Sequence, residues 1–368
     1  MRVVFSPDSF KGTIDAVDAA AALSEGWSSV RSGDDLASIP QADGGEGTLD
    51  VLAACSEGSV WSSVLQVCGP DERPVDARWL GLADGTAVVE LAESSGIASM
   101  ESLDAFGATT RGLGEVIAAC GSDRISVALG GSASTDGGLG VLRALGLRVL
   151  DDSGRDVPEG GAGLVVARAV DASDLMPVPS DLELLTDTRA VLFGSEGAAH
   201  VFGPQKGASM SDIAVLDEAL TRWAELLADA GLVADPSMPG TGAAGGTGFG
   251  LCALGGRVSG GAGRVSDLTG LSAAVLAADL VVTGEGKFDR TSSTGKLVGH
   301  VLNMCADAGV PVAVVAGAVD SDAEVPTISL TELAGGTDEA MGDARRWLVA
   351  AGRMLAKSAS VPAQNQRR

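Results

Sequence analysis

Residues 280–299 read LVVTGEGKFDRTSSTGKLVG, and the reading of this stretch decides the fold. Leu280, Val281 and Val282 have the composition of a buried parallel strand. Lys296, Leu297, Val298, Val301, Leu302 and Cys305 recur at helical spacing. Between them lies a run of glycines, acids and hydroxyls, so the reading is strand, loop, helix. In an open α/β sheet such loops, at the carboxyl ends of strands, receive the ligand. Glu285, Lys287, Asp289 and Lys296 all fall in or beside this loop, which is the equipment of a phosphoryl-transfer site. Two general motifs are excluded. A P-loop sets a glycine five residues before its Gly-Lys pair and a Ser or Thr after the Lys. Here position 290 is Arg290, and Gly295-Lys296 is followed by Leu297. Nor does Gly284-Glu285-Gly286 extend to the dinucleotide fingerprint, because Asp289 stands where its third glycine belongs.

The same pattern recurs at the amino terminus. A strand over 2–5 leads into SPDSFKGT (6–13) and a helix over 14–27; a strand over 36–40 leads into ADGGEGT (42–48) and a helix through 54. Two such units within sixty residues predict a parallel α/β sheet. A buried strand over 310–316 and a helix over 336–356 close the chain, before a frayed tail of about a dozen residues. The middle of the chain changes character. Short β-rich pieces at 60–67, 77–82 and 87–91, separated by turns, predict an antiparallel meander that enters a second domain. A helix over 111–119, a strand over 125–129, the loop GGSASTDGG (130–138) and a helix through 145 follow. Residues 151–182 show little periodicity; a strand over 182–186 leads to Asp187, and the turn FGPQKG (202–207) presents Lys206. After an amphipathic helix over 211–231, residues 240–248 are nearly all small. That run reads as a loop letting backbone approach a ligand closely, the alternative being a flexible linker. The expectation is an outer α/β domain of 1–58 and 270–368, with 59–269 as an inserted α/β domain.

Composition narrows the function. A formal charge of -24 argues against non-specific binding to nucleic acid or anionic membranes, which needs basic patches. Five scattered cysteines without C-x-x-C spacing read as reduced thiols, and the start MRVVFSPDSFKG lacks the apolar core of a signal peptide, so a cytoplasmic protein is expected. His200 and His300 follow no zinc spacing, and neither a Cys/His pair nor a G-x-S-x-G elbow supports nucleophilic hydrolysis. What remains is several glycine loops bearing acids or lysines after strands. Phosphoryl transfer needs that inventory: carboxylates for Mg²⁺, lysines and backbone N–H groups for phosphate oxygens, and one carboxylate to accept the hydroxyl proton. The competing reading of each such acid or hydroxyl is plain helix capping or ion pairing.

Seven stretches carry a resemblance: SPDSFKGT (6–13), ADGGEGT (42–48), TTRGLGEVI (109–117), GGSASTDGG (130–138), FGPQKGAS (202–209), PGTGAAGGTGFG (239–250) and TGEGKFDRTSSTGK (283–296). In that order they resemble the class I glycerate kinases, from residue 2 to about 350. The resemblance implies MgATP-dependent phosphorylation of D-glycerate to 2-phosphoglycerate. It also implies two α/β domains, one Rossmann-like and built from both chain ends, with the active site in the cleft between them. The partners expected are ATP, Mg²⁺ and a small hydroxy acid. Asp187 or Asp43 is expected as proton acceptor or metal ligand, and Lys206 and Lys11 as clamps on phosphate or carboxylate. Gly130, Gly131, Ser132, Gly245, Gly246 and Lys296 are expected at the nucleotide, Glu285 and Asp289 at Mg²⁺, and Asp8, Ser9, Glu46 and Asp136 at the substrate. The chain departs from the family pattern at Thr135, where an Asn is expected, at Ala190 and Val191 in place of Asn-Pro, and at Thr291 in place of Gln. These losses leave two alternatives open: a kinase of a related short sugar acid, and a non-catalytic sugar-acid-binding relative.

Overall fold

The computed structural model describes residues 1–289, 297–320 and 325–359. The chain forms two compact α/β units, one of Met1–Asp43, Asp50–Ser56 and Ala262–Arg368, the other of Gly44–Leu49 and Glu57–Gly261. Residues 44–49, placed by the sequence in the outer domain, belong to the second unit, whereas 262–269 belong to the first.

The first unit is built on a five-stranded, wholly parallel sheet. Its order is Thr327–Ser329, Val312–Val319, Leu280–Phe288, Arg2–Phe5, Asp35–Ser38. The two ends of the chain meet in its centre, with Val3, Val4 and Phe5 in register with Leu280, Val281 and Val282. The chain runs outward from Arg2–Phe5 in one direction and from Leu280–Phe288 in the other, which makes the gap between these strands a topological switch point. Alternate residues of each strand feed opposite faces. Val3, Phe5 and Val282 pack with Leu23, Trp27 and Leu348, while Val4 and Val281 pack with Leu271, Val275 and Val301. Burial on both faces explains the unbroken apolar runs. On one face the helices Ala16–Ser28 and Ala344–Ser358 press backbone to backbone: a Cβ at Gly26 would lie 2.1 Å from the Val349 carbonyl oxygen.

The second unit holds a six-stranded mixed sheet, ordered Arg257–Ser259, Asp181–Leu185, Arg124–Ala128, Ala87–Glu90, Pro74–Gly81, Val60–Cys68. The first four strands are parallel and the last two antiparallel, as the meander predicts.

Three expectations change. Leu280–Phe288 does not end at Val282. It pairs with Val312–Val319 as far as Phe288 opposite Val319, so Glu285 and Lys287 sit on a strand and not in a loop. Gly284 and Gly286 erase the apolar alternation, which hides the strand in the sequence. Residues 151–182 are not featureless: Arg148–Leu150 pairs with Ala169–Asp171 around the helix Gly160–Val166. Its glycines let it seat closely, since a Cβ at Gly161 would come 2.6 Å from Leu216. The carboxy-terminal helix is interrupted at Asp343 (φ -148°, ψ 60°), giving Thr337–Gly342 and Ala344–Ser358. The tail expected beyond 359 lies outside the described residues.

Candidate active site

In the first unit, loop 6–13 continues along Leu280–Phe288 after its own strand stops. Ser6 N donates to Val282 O at 2.7 Å and Asp8 N to Gly284 O at 2.8 Å. Phe10 and Ile14 close the loop with a backbone bridge, and Gly12 turns its tip in a left-handed conformation (φ 80°). A cavity of about 500 Å³ opens there, its lining including Asp8, Ser9, Lys11, Asp43, Glu285 and Lys287. The structure thus brings together the expected residues Asp8, Ser9, Lys11, Asp43 and Glu285. Asp289 follows at the strand's end, and Lys296 lies outside the described residues.

Asp8 is the electrostatic centre of this group. Burial and the neighbouring charge of Asp43 push its carboxyl up to about 7, with Glu285 adding to the rise; the Ser9 N–H (2.6 Å) and Lys11 oppose it. A carboxylate poised near neutrality, at a cavity wall and beside a lysine, is equipped to take up a hydroxyl proton. Lys287 is engaged otherwise, in a 2.6 Å ion pair with Asp320. Among the described residues no three His, Cys, Asp or Glu side chains are grouped to cage a metal. Glu285, Asp289 and Asp43 still suit Mg²⁺ chemically, because Mg²⁺ takes one or two carboxylates and completes its shell with water and phosphate. The crowding of like charge around Asp8 is itself the condition a divalent cation relieves.

In the second unit the expected residues are largely engaged with one another. Asp136 is fully buried, and its carboxylate accepts from Thr110 N (3.0 Å), Thr110 Oγ1 (2.7 Å), Gly138 N (3.1 Å) and Gly140 N (3.1 Å). It fastens its own loop to the start of the helix Arg111–Cys120. Lys206, 2% exposed, donates to Ser132 Oγ at 2.7 Å and to the Ser134 carbonyl. Burial pushes its ammonium down to about 7, with Asp136 pulling the other way. It is a buried tie across loop 130–138.

Backbone hydrogen bonds also hold this loop in place. Gly130 N donates to Gly44 O, Ala133 N to Ser95 O and Gly137 N to Gly245 O, while Gly131 O accepts from Ile97 N. The small-residue run is no flexible linker: it is buried as the entry to the helix Ala243–Ala253, with Ala244, Gly245 and Gly246 all left-handed. A Cβ at Gly245 would lie 2.1 Å from Ser134 O, and one at Gly246 2.9 Å from Gly137 Cα. These glycines allow close backbone packing. Glu46 and Asp187 are both exposed, Asp187 just beyond the carboxyl end of Asp181–Leu185. Glu90 escaped the sequence reading. Its buried carboxylate accepts from Gly47 N (3.0 Å) and Leu49 N (3.2 Å), holding the 44–49 segment. Its apolar strand, AVVE, gave no hint of that task.

Known proteins resemble this chain over most of its length. The model of the Glycerate kinase family matches residues 3–360. The glycerate 2-kinase of Escherichia coli is 34% identical over 99% of this chain and 100% of its own length. The glycerate kinase of Bacillus subtilis is 37% identical over 88% of this chain and 86% of its own. The crystal structure of a protein assigned as glycerate kinase 2 from Salmonella typhimurium LT2 superposes with a TM-score of 0.81, at 34% identity, over 97% of this chain and 98% of that one.

Proposed function

The chain belongs to the glycerate kinase family, and on that premise we propose that it moves the terminal phosphoryl group of MgATP to the 2-hydroxyl of D-glycerate, giving 2-phosphoglycerate and ADP. The observation that carries the reading is Asp8, a carboxyl raised to about 7 between Asp43 and Glu285 at the sheet's switch point. Asp8 accepts the hydroxyl proton as the oxygen attacks phosphorus, and the bond to the bridging oxygen breaks to release ADP. That moves the proton acceptor from Asp43 or Asp187 to Asp8, because Asp8 has its proton affinity matched to neutral pH. Lys11, exposed at the loop tip, neutralises phosphate oxygens or the glycerate carboxylate, and Asp43 holds the charge that tunes Asp8. Glu285 and Asp289 would hold Mg²⁺, which supplies charge neutralisation at the phosphates. Ser9 fixes the Asp8 rotamer through its N–H. Cytoplasmic residence is part of the same proposal. Among the described residues no helix is long and apolar enough to cross a membrane.

The test is ATP turnover with D-glycerate and Mg²⁺, with the product identified by NMR. ADP and 2-phosphoglycerate support the proposal, and 3-phosphoglycerate changes the acceptor hydroxyl. Turnover confined to another hydroxy acid selects the sugar-acid kinase, and glycerate binding without ADP formation selects the binding relative. The departures at Thr135, Ala190, Val191 and Thr291 motivate those two arms, Thr291 lying outside the described residues.

A further inference from the structure

The strand Val60–Cys68 forms one edge of the six-stranded sheet in the second unit. It pairs with Pro74–Gly81 on one side, and among the described residues no strand pairs with its other side. An unpaired edge is a template for further strand pairing, and proteins normally block it with charged side chains or proline. Val60–Leu65 carries neither, and from Gly58 to Pro70 no residue is charged, in a chain whose formal charge is -24. The side chains alternate. Ser62 and Val64 are half-buried, whereas Trp61, Ser63 and Leu65 share the other face and are exposed, Trp61 by 40% and Leu65 by 68%. The Trp61 ring is already held in place, with the Arg78 guanidinium 4.6 Å from its centre and Arg78 itself paired to Glu93 at 2.6 Å. At Gln66 (φ 57°) the register with Pro74–Gly81 shifts, so the flat, pairable stretch ends at Leu65.

We infer that this edge pairs, antiparallel, with the same edge of a second copy of the chain, joining the two sheets across a two-fold axis at Ser63. The strand's own sequence selects that occupant and that register. Opposed residues of an antiparallel pair share a face, so in a symmetric pair of identical strands their numbers have a constant even sum. With Ser63 opposite Ser63 of the second copy, Trp61 lies opposite Leu65 and Leu65 opposite Trp61. Both exposed apolar side chains are then used twice, in aromatic–aliphatic cross-strand pairs. Moving the axis to Ser62 sets Trp61 against Ser63 and leaves Leu65 opposite Ser59, before the strand begins. Moving it to Val64 sets Trp61 against Val67 and carries the pairing past the register shift. A contact about a two-fold axis also closes on itself, using up the edge in both copies. Charge favours the same place, because two chains of like net charge approach with least repulsion along an uncharged strip. A strand pair of this length is at the small end of specific interfaces, so the dimer should dissociate with a Kd on the order of 1–100 µM.

The test is sedimentation of the full chain from about 1 to 300 µM, for wild type and Leu65→Lys, together with oxidative crosslinking. Wild type should pass from monomer to dimer across that range. Leu65 is an exposed side chain, so Leu65→Lys should melt like wild type. It should weaken the dimer by about tenfold or more, since it sets a charge against the Trp61 ring in both halves of the contact. Under mild oxidation Ser63→Cys should form a disulfide-linked dimer, because directly opposed α-carbons lie about 4.5–5.5 Å apart, within disulfide range. Leu65→Cys should not, because its counterpart lies four residues along the strand, roughly 13 Å away. Wild type supplies the background from its own free cysteines. A chain monomeric across the whole range overturns the inference and leaves the edge to a strand of another protein. A dimer that survives Leu65→Lys unchanged, a species larger than a dimer, or a Ser63→Cys form that crosslinks no faster than Leu65→Cys overturns it as well.

Discussion

Asp8 and Asp136 are both aspartates on turns after parallel strands, and burial raises the carboxyl of each. They differ in what surrounds them. Asp136, in the second unit, has four hydrogen bonds from Thr110, Gly138 and Gly140 and no exposure. Asp8, in the first unit, is half-buried at a cavity wall, takes one N–H from Ser9 and faces the like charges of Asp43 and Glu285. A carboxylate whose lone pairs are filled by its own chain is spent on architecture. One held in a cavity among like charges keeps its affinity for an incoming proton. Motif reading weights the two alike.

The largest expected effect breaks the comparison on the reactive side. Asp8→Asn should lower kcat by ~10²-fold or more. Wild-type activity should rise with pH through about 7, the value to which Asp8 is raised, and that limb should vanish in the variant. The same shift has a stability consequence. A carboxyl at about 7 in the folded state and 3.8 unfolded binds more protons folded within that window, so its contribution to stability falls as pH rises through it. Asp8→Asn should therefore gain up to ~4 kcal/mol at pH 8, the gain shrinking to nothing as pH falls towards 4. Melting curves across this range and steady-state kinetics check both halves. Full turnover in Asp8→Asn alongside loss in Asp187→Asn would return the acceptor to Asp187.

On the architectural side, Asp136→Ala strands the donors of Thr110, Gly138 and Gly140 and should cost ~3–5 kcal/mol in urea unfolding. A variant that unfolds like wild type but has lost turnover would put Asp136 at the substrate after all. Lys206 tests the same side by pH. Its ammonium is lowered to about 7 from 10.5, so between these values the unfolded chain binds the extra proton and stability rises with pH. Below 7 the burial cost is present in full. The stability of Lys206→Met relative to wild type should accordingly be most favourable near pH 7. It should decline by up to ~1.4 kcal/mol per unit towards pH 10. A constant difference across that range would mean the lysine does not lose its proton in place.

Much of the fold was legible because the first sheet is buried on both faces. The runs at Arg2–Phe5, Leu280–Val282 and Val312–Ala316 could be little else, and both chain ends fell into one sheet. Glycine set the limit of legibility. Gly284 and Gly286 conceal the second half of the central strand, and Gly160, Gly161 and Gly163 conceal a helix. Gly245 and Gly246, legible only as a small-residue loop, serve a backbone contact that the sequence does not show. In the site, Asp8, Lys11, Asp43 and Glu285 were legible as charges in glycine loops. Their roles were not, since local sequence does not reveal that Asp136 meets Thr110 or that Lys206 is buried against Ser132. Glu90 was hidden for the same reason: the N–H groups it accepts from lie some forty residues away.

The smallest expected effect sharpens the comparison within loop 130–138 itself. Thr135 occupies the position where the resembled pattern has Asn, and its Oγ1, like that of Ser134, is buried without a hydrogen-bond partner among the described residues. Thr110, bonded to the neighbouring Asp136, has its hydroxyl donating to that carboxylate and accepting from Val141 N at 3.1 Å. An unmet buried hydroxyl costs ~1–3 kcal/mol, whereas a filled one contributes about 1 kcal/mol net. Replacing each threonine by valine keeps the shape and removes the hydroxyl, so the two substitutions should move stability in opposite directions. Thr135→Val should be stabilised by ~1 kcal/mol and Thr110→Val destabilised by about the same or more. Paired urea unfolding of the two variants measures this. If Thr135→Val is destabilised instead, its hydroxyl has a partner in solution, and loop 130–138 is wetter and more open than its packing implies.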